Sequence, residues 1–398
     1  MPHVDFLIAN AGHHLEAARP VARDLAARGF ECRLVSLCEL RGLSSPSAAE
    51  QTDGLDVLRL VPRTLRSSPS QTGGMNLPDR KWRSLPRWLF WHLYLAPKVL
   101  GWLRTKPDLV VVPNDAAFPY NAICRRLKRR RVRFLLLQEG IRFAETNLAD
   151  SEIVGQGLSG ADAIACWGPT SAEFFRSRGA APASIYTTGT PRFDRITTTD
   201  WTDQAQALSE ALPWGARTLA VLTNPIEVWG FCSRREKMDL LDRFLQGLDP
   251  LFATVGLRLI FKIHRQESLA EYRDLVAIQK HAGRMTVLSD APLYPLLELS
   301  DAAIVLASTV GLEALLLGKP LGVLEIPGLG FAHDFVASGA GRGISRDEST
   351  ADQVQELLAD KPSESPAVSS YLNRTLSARG RSTREVADLI TNLIASAL

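Results

Sequence analysis

The sequence predicts two α/β domains, each built on a parallel sheet covered by helices. Its 398 residues exceed what one hydrophobic core usually organises, so two domains of about 150 to 200 residues are expected. Short apolar runs alternate with amphipathic stretches in both halves, which is the pattern of βαβ units. A polar stretch with repeated threonines, residues 197–213, separates the halves and is predicted to be the linker.

The first half, residues 1–197, begins with a strand and a helix. The helix is predicted over residues 15–27, because Gly29 follows it as a stop signal. Residues 44–78 are rich in Ser, Pro and Gly, which predicts a mobile loop. The predicted strands of this half are residues 4–9, 32–37, 109–112, 134–137, 163–166 and 185–187.

The second half, residues 214–378, shows the same alternation more regularly. Its predicted strands are residues 219–223, 259–263, 285–288, 303–306 and 321–324. Its predicted helices are residues 234–254, 269–282, 292–299 and 310–317. The final segment, 383–398, is amphipathic with one apolar face, so it needs a partner surface.

Composition excludes several classes of protein. A formal charge of only +3 argues against nucleic-acid binding, which needs many clustered cations. The five cysteines form no CxxC pair, which argues against a zinc site and a disulfide framework and favours a reducing compartment. An apolar strand begins almost at the N-terminus, leaving no signal peptide, so a cytoplasmic location is expected.

Two surface segments each allow two interpretations. Residues 85–103 are rich in aromatics but carry cations and Pro97, so they fall below membrane-spanning length. They predict either a helix pair closing over the first core or an interfacial segment at the inner face of a membrane. Residues 125–133 carry seven cations, which predict either a solvated helix end or a contact with an anionic membrane or lipid-linked acceptor.

Candidate site residues follow the predicted strands, where ligands bind in open parallel sheets. Gly12 permits a tight turn after the first strand, and His13 or His14 is expected to bind substrate, act as a base or cap the helix. The loop lacks a GxGxxG pattern, so no dinucleotide cofactor is expected. Asp115, after another strand of this half, is a further candidate base.

Glu139 follows a very apolar strand and precedes Gly140, which leaves space beside it. Partial burial there is expected to raise the carboxylate pKa toward the working range of a general base. The alternative is a structural Glu that pairs with Arg142 or accepts hydrogen bonds from loop amides.

Lys262 and His264 end a strand of the second half on the same side of the chain. Two adjacent cations favour an anion between them, and a phosphate is the natural choice. Ser308 and Thr309 are predicted at the N-cap of the helix ending at Gly318, which offers amides to the same anion. No Asp-x-Asp element or His–carboxylate cluster is placed to hold a metal, so none is expected.

These segments resemble GT-B fold glycosyltransferases. Gln138-Glu-Gly140 is similar to the acid-plus-glycine motif of bacterial sialyltransferases and capsule Kdo transferases, in which the acid is the general base. Lys262-Ile-His264 resembles their Lys-x-His-Pro motif for the donor phosphate, although Arg265 replaces the proline. Ser308-Thr309 resembles their hydroxyl pair, and Ser-Thr-Val-Gly-Leu-Glu-Ala-Leu followed by Gly-Lys-Pro looks like the capsule enzymes in particular.

A second resemblance is to the non-hydrolysing UDP-N-acetylglucosamine 2-epimerases. It rests on residues 161–165, 168–170 and 185–194 and on Glu139-Gly-Ile-Arg142. Their His-Arg-Glu-Asn stretch appears here as 223–227 without the histidine, and their Asp-Ser-Gly-Gly turn lacks its acid. Glycerophosphate transfer from a CDP-linked donor and a non-enzymatic carbohydrate- or nucleotide-binding module are further alternatives.

The leading resemblance implies a metal-independent glycosyltransferase without a cofactor. It would take a nucleotide-activated sugar, with CMP-linked donors among the options, in a cleft between the halves and pass it to a glycan, lipid-linked or small-molecule hydroxyl. Residues 1–197 would bind the acceptor, 214–378 the donor, and 379–398 would form a helix crossing back to the first domain. Donor-side candidates are Thr223, Asn224, Lys262, His264, Arg265, Ser308, Thr309, Gly311 and Glu313. Acceptor-side candidates are Gly12, His13, His14, Asp115, Gly140, Arg142, Thr190 and Arg192, with Glu139 as the base.

Overall fold

A computed structural model describes residues 1–46, 52–62, 88–141 and 155–396. The chain forms two compact units, one comprising Met1–Arg195 with Arg374–Leu398 and the other comprising Ile196–Asn373. Each unit is organised around a parallel sheet. The predicted pair of Rossmann-like domains is confirmed.

The first domain contains a seven-stranded sheet in the order β3-β2-β1-β4-β5-β6-β7. Its strands are β1 (His3–Ile8), β2 (Glu31–Ser36), β3 (Asp56–Arg59), β4 (Leu109–Val112), β5 (Arg133–Leu137), β6 (Ala163–Cys166) and β7 (Ile185–Thr187). Strand β3 falls in the segment predicted to be a loop. It lies at the sheet edge, where its side chains are exposed or only half-buried, so it lacks the apolar run that marks a buried strand.

The helices of this domain cover both faces of the sheet. They are α1 (His13–Ala27), α2 (Ala96–Trp102), α3 (Tyr120–Arg129) and α4 (Pro169–Ser177), and α5 (Pro191–Thr198) leads into the second domain. A π-helical turn, Phe90–Leu95, precedes α2. It buries Trp91 and Leu95 in the core, as the core-closing interpretation predicts, but leaves Leu93 exposed. In the described part of the chain, no helix is long and apolar enough to span a membrane.

The second domain contains a six-stranded parallel sheet in the order β10-β9-β8-β11-β12-β13. Its strands are β8 (Arg217–Leu222), β9 (Leu257–Lys262), β10 (Met285–Leu288), β11 (Ala302–Val305), β12 (Leu321–Leu324) and β13 (Arg342–Ile344). Strand β13 was not predicted, because three residues at a sheet edge are too few to show the apolar run of a buried strand. Its helices are α6 (Thr202–Glu210), α7 (Arg234–Gly247), α8 (Asp249–Thr254), α9 (Leu269–Ala277), α10 (Leu293–Leu299), α11 (Val310–Leu316), α12 (Thr350–Ala359) and α13 (Pro366–Thr375).

Two predictions for this domain were wrong in detail. The segment predicted as a linker contains helix α6, whose Ala205 is buried. The single helix predicted over 234–254 is two helices, because Pro250 lies at the start of α8 and cannot donate the hydrogen bond that a continuous helix would need.

The C-terminal helix α14 (Ser382–Ala395) packs against α1 in the first domain, as predicted. It buries Val386 and Ile390 completely. The Asp194 carboxylate accepts the Ser382 and Thr383 amides at 2.9 and 2.7 Å, so it supplies the N-terminal cap that the helix's own N-cap residue does not provide.

Docking of α14 is expected to contribute strongly to the stability of the first domain. Ile390→Ala should lower the free energy of unfolding by about 2 to 5 kcal/mol, because it leaves a cavity beneath the helix. The measurement is urea denaturation followed by circular dichroism. Asn392→Ala, at an exposed position of the same helix, is the control, and equal effects of the two substitutions would contradict the proposed packing role.

Candidate active site

The first domain brings His14 and Glu139 together at the carboxyl edge of its sheet. His14 follows β1 and Glu139 follows β5, and His14 Nε2 lies 2.9 Å from Glu139 Oε1. The Ala9 N–H donates to His14 Nδ1 at 3.0 Å. An Nδ1 that accepts this hydrogen bond carries no proton, so the ring proton lies on Nε2, the nitrogen close to the carboxylate.

The position of Glu139 is set by the residue before it. Gln138 is buried, and its Nε2 donates to the Gly140 carbonyl and to Ser171 Oγ at 2.8 and 2.9 Å. Gln138 Oε1 accepts the Trp167 amide, and the Gln138 carbonyl accepts the Trp167 indole N–H. Gly140 has a φ of +70°, which favours glycine there. The turn that presents Glu139 is therefore held from both sides.

The expected direction of the Glu139 pKa shift was wrong. Burial by itself raises this pKa, but the His14 imidazole, Arg41 and His13 together lower it well below its ordinary value. A carboxylate that accepts a hydrogen bond beside cationic groups is stabilised in its charged form. Glu139 is thus ionised at neutral pH. Its side chain is 28% exposed while that of His14 is 2% exposed, so the carboxylate is the accessible member of the pair.

A pocket of about 40 Å³ surrounds this pair, enough for a water molecule or a small functional group. Six of the predicted acceptor-side residues line it: His13, His14, Glu139, Gly140, Thr190 and Arg192. Arg192 Nε lies 3.2 Å from Glu16 Oε2, and His13 Nδ1 lies 4.0 Å from the same oxygen. The pocket therefore combines an ionised carboxylate with a neighbouring cation.

The other acceptor-side candidates have different surroundings. Gly12 forms a turn in which its N–H donates to Asn10 Oδ1 at 2.7 Å. The Asp115 carboxylate is fully buried and accepts the Gly157 and Ser159 amides at 2.9 and 3.1 Å. Burial raises the pKa of Asp115, but these contacts anchor a loop and do not present a base. Arg142 lies outside the described residues.

In the second domain, Lys262 is the last residue of β9 and His264 follows the strand at the carboxyl edge of the sheet. Lys262 Nζ donates to the Ser289 carbonyl at 2.8 Å. Burial lowers the pKa of Lys262, and nearby Arg265 lowers it further against the opposing effect of Asp290. Burial also lowers the pKa of His264, and Arg265 and Lys262 act in the same direction against the opposing effect of Glu267. Their positive forms are thus disfavoured unless an anion joins them.

Glu267 is a buried charge that was not predicted from the sequence. Its side chain is 1% exposed and pairs with Lys237, which is 2% exposed. Glu267 Oε2 accepts the His264 amide and the Thr223 hydroxyl, each at 2.7 Å, and Oε1 accepts the Tyr272 hydroxyl at 2.6 Å. Such a charge is tolerated because several donors surround it. Glu267 consequently holds the Lys262-Ile-His264 turn against the end of β8.

Asn224 and Ser308 follow the two neighbouring strands, β8 and β11. The Asn224 amide group bonds both backbone groups of Ala307, donating to its carbonyl at 2.7 Å and accepting its N–H at 3.3 Å. Ser308 Oγ accepts the Val310 amide at 3.3 Å, and Thr309 makes no side-chain cap. The residues predicted at the N-cap therefore form a local turn, and the Val310 N–H at the start of the helix is already hydrogen-bonded within it.

Three remaining donor-side candidates differ in exposure. Glu313 is fully buried in α11, so its side chain faces the core. Gly311 packs so tightly that an added Cβ would meet Leu321 and Phe335 at 3.0 Å, which explains the glycine by packing. Arg265 is exposed beside His264.

The sequence profile of the capsule polysaccharide biosynthesis protein family matches residues 232–371, as the resemblance to capsule enzymes predicts. No curated protein matches the chain in sequence. The match spans most of the second domain, which contains Lys262, His264 and Ser308.

Solved structures share the fold over nearly the whole chain. A Listeria monocytogenes protein assigned as a UDP-N-acetylglucosamine 2-epimerase has a TM-score of 0.68 and 14% identity, covering 99% of this chain and 97% of its own. The Methanocaldococcus jannaschii UDP-GlcNAc 2-epimerase in complex with UDP-GlcNAc and UDP has a TM-score of 0.62 and 14% identity, covering 98% and 100%. The glycotransferase of kitacinnamycin has a TM-score of 0.59 and 16% identity, covering 98% and 99%.

If Glu139 acts as a base, its lowered pKa should be visible in the pH dependence of turnover. Only the ionised carboxylate can accept a proton, so kcat/KM should fall as the pH drops below the Glu139 pKa; this fall is the acid limb of the profile. Between about pH 5 and pH 8 the native enzyme should show no limb from Glu139. His14→Ala removes the largest stabilising partner but leaves burial, so the Glu139 pKa should rise and the acid limb should move to higher pH.

The measurement is kcat/KM against pH for the native protein, His14→Ala and His13→Ala. The exposed His13 contributes least to the lowered pKa, so His13→Ala should shift the limb less. Coincident profiles of native protein and His14→Ala would contradict the coupling.

Proposed function

We propose that the protein is a metal-independent glycosyltransferase that moves a sugar from a nucleotide-activated donor to an acceptor hydroxyl. The observation that carries this proposal is the His14–Glu139 pair, in which a buried imidazole orients a partly exposed, ionised carboxylate in a pocket. The family profile over the second domain supports a role in capsule polysaccharide synthesis.

In this proposal Glu139 accepts the proton of the acceptor hydroxyl as its oxygen attacks the anomeric carbon of the donor. The bond from that carbon to the phosphate oxygen breaks, and the nucleotide leaves with the bonding electrons. His14 does not take the proton, because Nδ1 is occupied by the Ala9 amide. It keeps one carboxylate oxygen in place, and the carboxylate retains further lone pairs for the acceptor.

The leaving nucleotide would be stabilised by Lys262 and His264 of the second domain. Both groups have lowered pKa values because of burial and neighbouring cations, and a phosphate would relieve that repulsion. These side chains would supply the positive charge that many transferases take from a metal ion.

Epimerisation of a UDP-sugar is the competing proposal, and it is favoured by the structural similarity to 2-epimerases. The two reactions differ in what they require. An epimerase converts UDP-GlcNAc without an acceptor, whereas a transferase releases nucleotide in proportion to the acceptor glycosylated. Incubation with labelled UDP-, GDP-, dTDP- and CMP-sugars and CDP-glycerol, with and without a glycan acceptor mixture, separates them.

The donor site is tested by nucleotide affinity. Lys262→Ala and His264→Ala should each weaken binding of the preferred nucleotide roughly ten- to a hundredfold, because each removes a charge-assisted contact. Calorimetry with CMP, CDP, UDP, GDP and dTDP identifies that nucleotide first. Lys280→Ala removes an exposed cation of the same domain and should leave affinity unchanged. A lower melting temperature with unchanged nucleotide affinity would assign the pair a structural role.

The base is tested by single-turnover rates in excess EDTA, where the native protein should remain active. Glu139→Gln should reduce the rate by about 10²- to 10⁴-fold with nucleotide affinity intact, because the amide keeps the shape but cannot accept the proton. Glu173→Gln, an exposed change in the same domain, is the matched control. Retained turnover in Glu139→Gln would exclude Glu139, and a requirement for added Mg²⁺ or Mn²⁺ would exclude metal independence.

A further inference from the structure

A second pocket in the first domain joins the two surface segments that the sequence left open. It has a volume of about 310 Å³. One wall comes from the helical turn before α2 and the other from α3. Its lining includes Trp88, Trp91, His92, Arg125, Arg126 and Arg129.

The aromatic wall is anchored in the core and yet presents apolar side chains to solvent. Trp91 is buried and lies edge-on to Phe118, with ring centroids 6.3 Å apart. Trp88 packs on His92 at 4.6 Å but remains 55% exposed. Leu93 on the same turn is 74% exposed. Two large apolar side chains next to a buried tryptophan are therefore exposed to solvent, and neighbouring exposed apolar groups of this kind favour a binding surface.

The cationic wall is one face of α3. Arg125 and Arg129 are spaced i,i+4, and Arg126 lies beside them, so the three guanidinium groups line the same side of the pocket. Like charges at this spacing destabilise a helix. Among the described residues, no carboxylate lies within ion-pair distance of these three arginines. An external anion would remove this repulsion.

We propose that this face docks on a membrane surface that contains anionic phospholipid. A lipid phosphate would occupy the arginine pocket, because guanidinium binds phosphate oxygens in pairs, while Trp88 and Leu93 would enter the boundary between headgroups and acyl chains. A soluble anion would use the arginines but would leave the exposed leucine without a role. The proposal does not depend on the reaction assigned above.

The test is sedimentation of the whole protein with vesicles of phosphatidylcholine alone and of phosphatidylcholine with phosphatidylglycerol. Binding should require phosphatidylglycerol and weaken with salt, since screening shortens the reach of the charges. Each basic residue near such a surface strengthens binding roughly fivefold, so the triple variant Arg125→Gln, Arg126→Gln, Arg129→Gln should lower the partition coefficient by at least about tenfold.

Two controls distinguish docking from general charge attraction. The triple variant Arg235→Gln, Lys280→Gln, Lys361→Gln makes the same change in net charge at exposed positions of the second domain and should bind nearly as well as the native protein. Leu93→Ser should weaken binding, whereas Ile278→Ser, at a residue 76% exposed in the second domain, should not. Circular dichroism checks that every variant is folded.

Three results would overturn the proposal. The first is no sedimentation with anionic vesicles at low salt. The second is an equal loss in both triple variants, which would mean unspecific attraction. The third is competition by free glycerol phosphate together with full vesicle binding by Leu93→Ser, which would identify a site for a soluble anion.

Discussion

The parallel arrangement of both sheets brings the carboxyl ends of all their strands to one edge, and the chemistry of each domain depends on that constraint. In the first domain the ends of β1 and β5 are separated by β4, so residues more than a hundred positions apart in sequence become neighbours. In the second domain, β8 lies between β9 and β11. The turns after these strands must then be held in shape, because a chain leaving a sheet loses its ladder of hydrogen bonds.

Each domain holds its turn with a buried polar side chain. In the first domain Gln138 bonds the Gly140 carbonyl and the Trp167 amide, which fixes the peptide on either side of Glu139. In the second, Glu267 accepts the His264 amide while pairing with Lys237. The Gln138 and Glu267 side chains are nearly inaccessible to water, so water competes little for their hydrogen bonds. Removal of one partner would leave another buried polar group without a hydrogen bond. The turns that carry Glu139 and His264 are therefore held in place.

Sequence patterns predicted the buried strands well, because apolar β-branched runs report burial directly. They failed for β3 and β13, which are short edge strands, and for α6, which was taken as a linker. Glu139 could be named as a candidate site residue because it follows an apolar strand, but the direction of its pKa shift could not be predicted. That sign depends on the contact with His14, which exists only once β1 and β5 share a sheet. The burial of Glu313 could not be predicted for a similar reason, since the buried face of α11 depends on its packing.

The lowered pKa of Glu139 changes how the proposed reaction must be driven. A carboxylate this well stabilised is a weak base, so it gains little by taking a proton from a hydroxyl whose own acidity has not yet developed. The proton would then move late in the attack on the anomeric carbon, and more of the barrier would be removed by stabilising the leaving phosphate. Lys262 and His264 suit that task because burial disfavours their charged forms in the free protein. An arriving phosphate would favour those charged forms, and the attraction would grow as negative charge develops on the departing nucleotide.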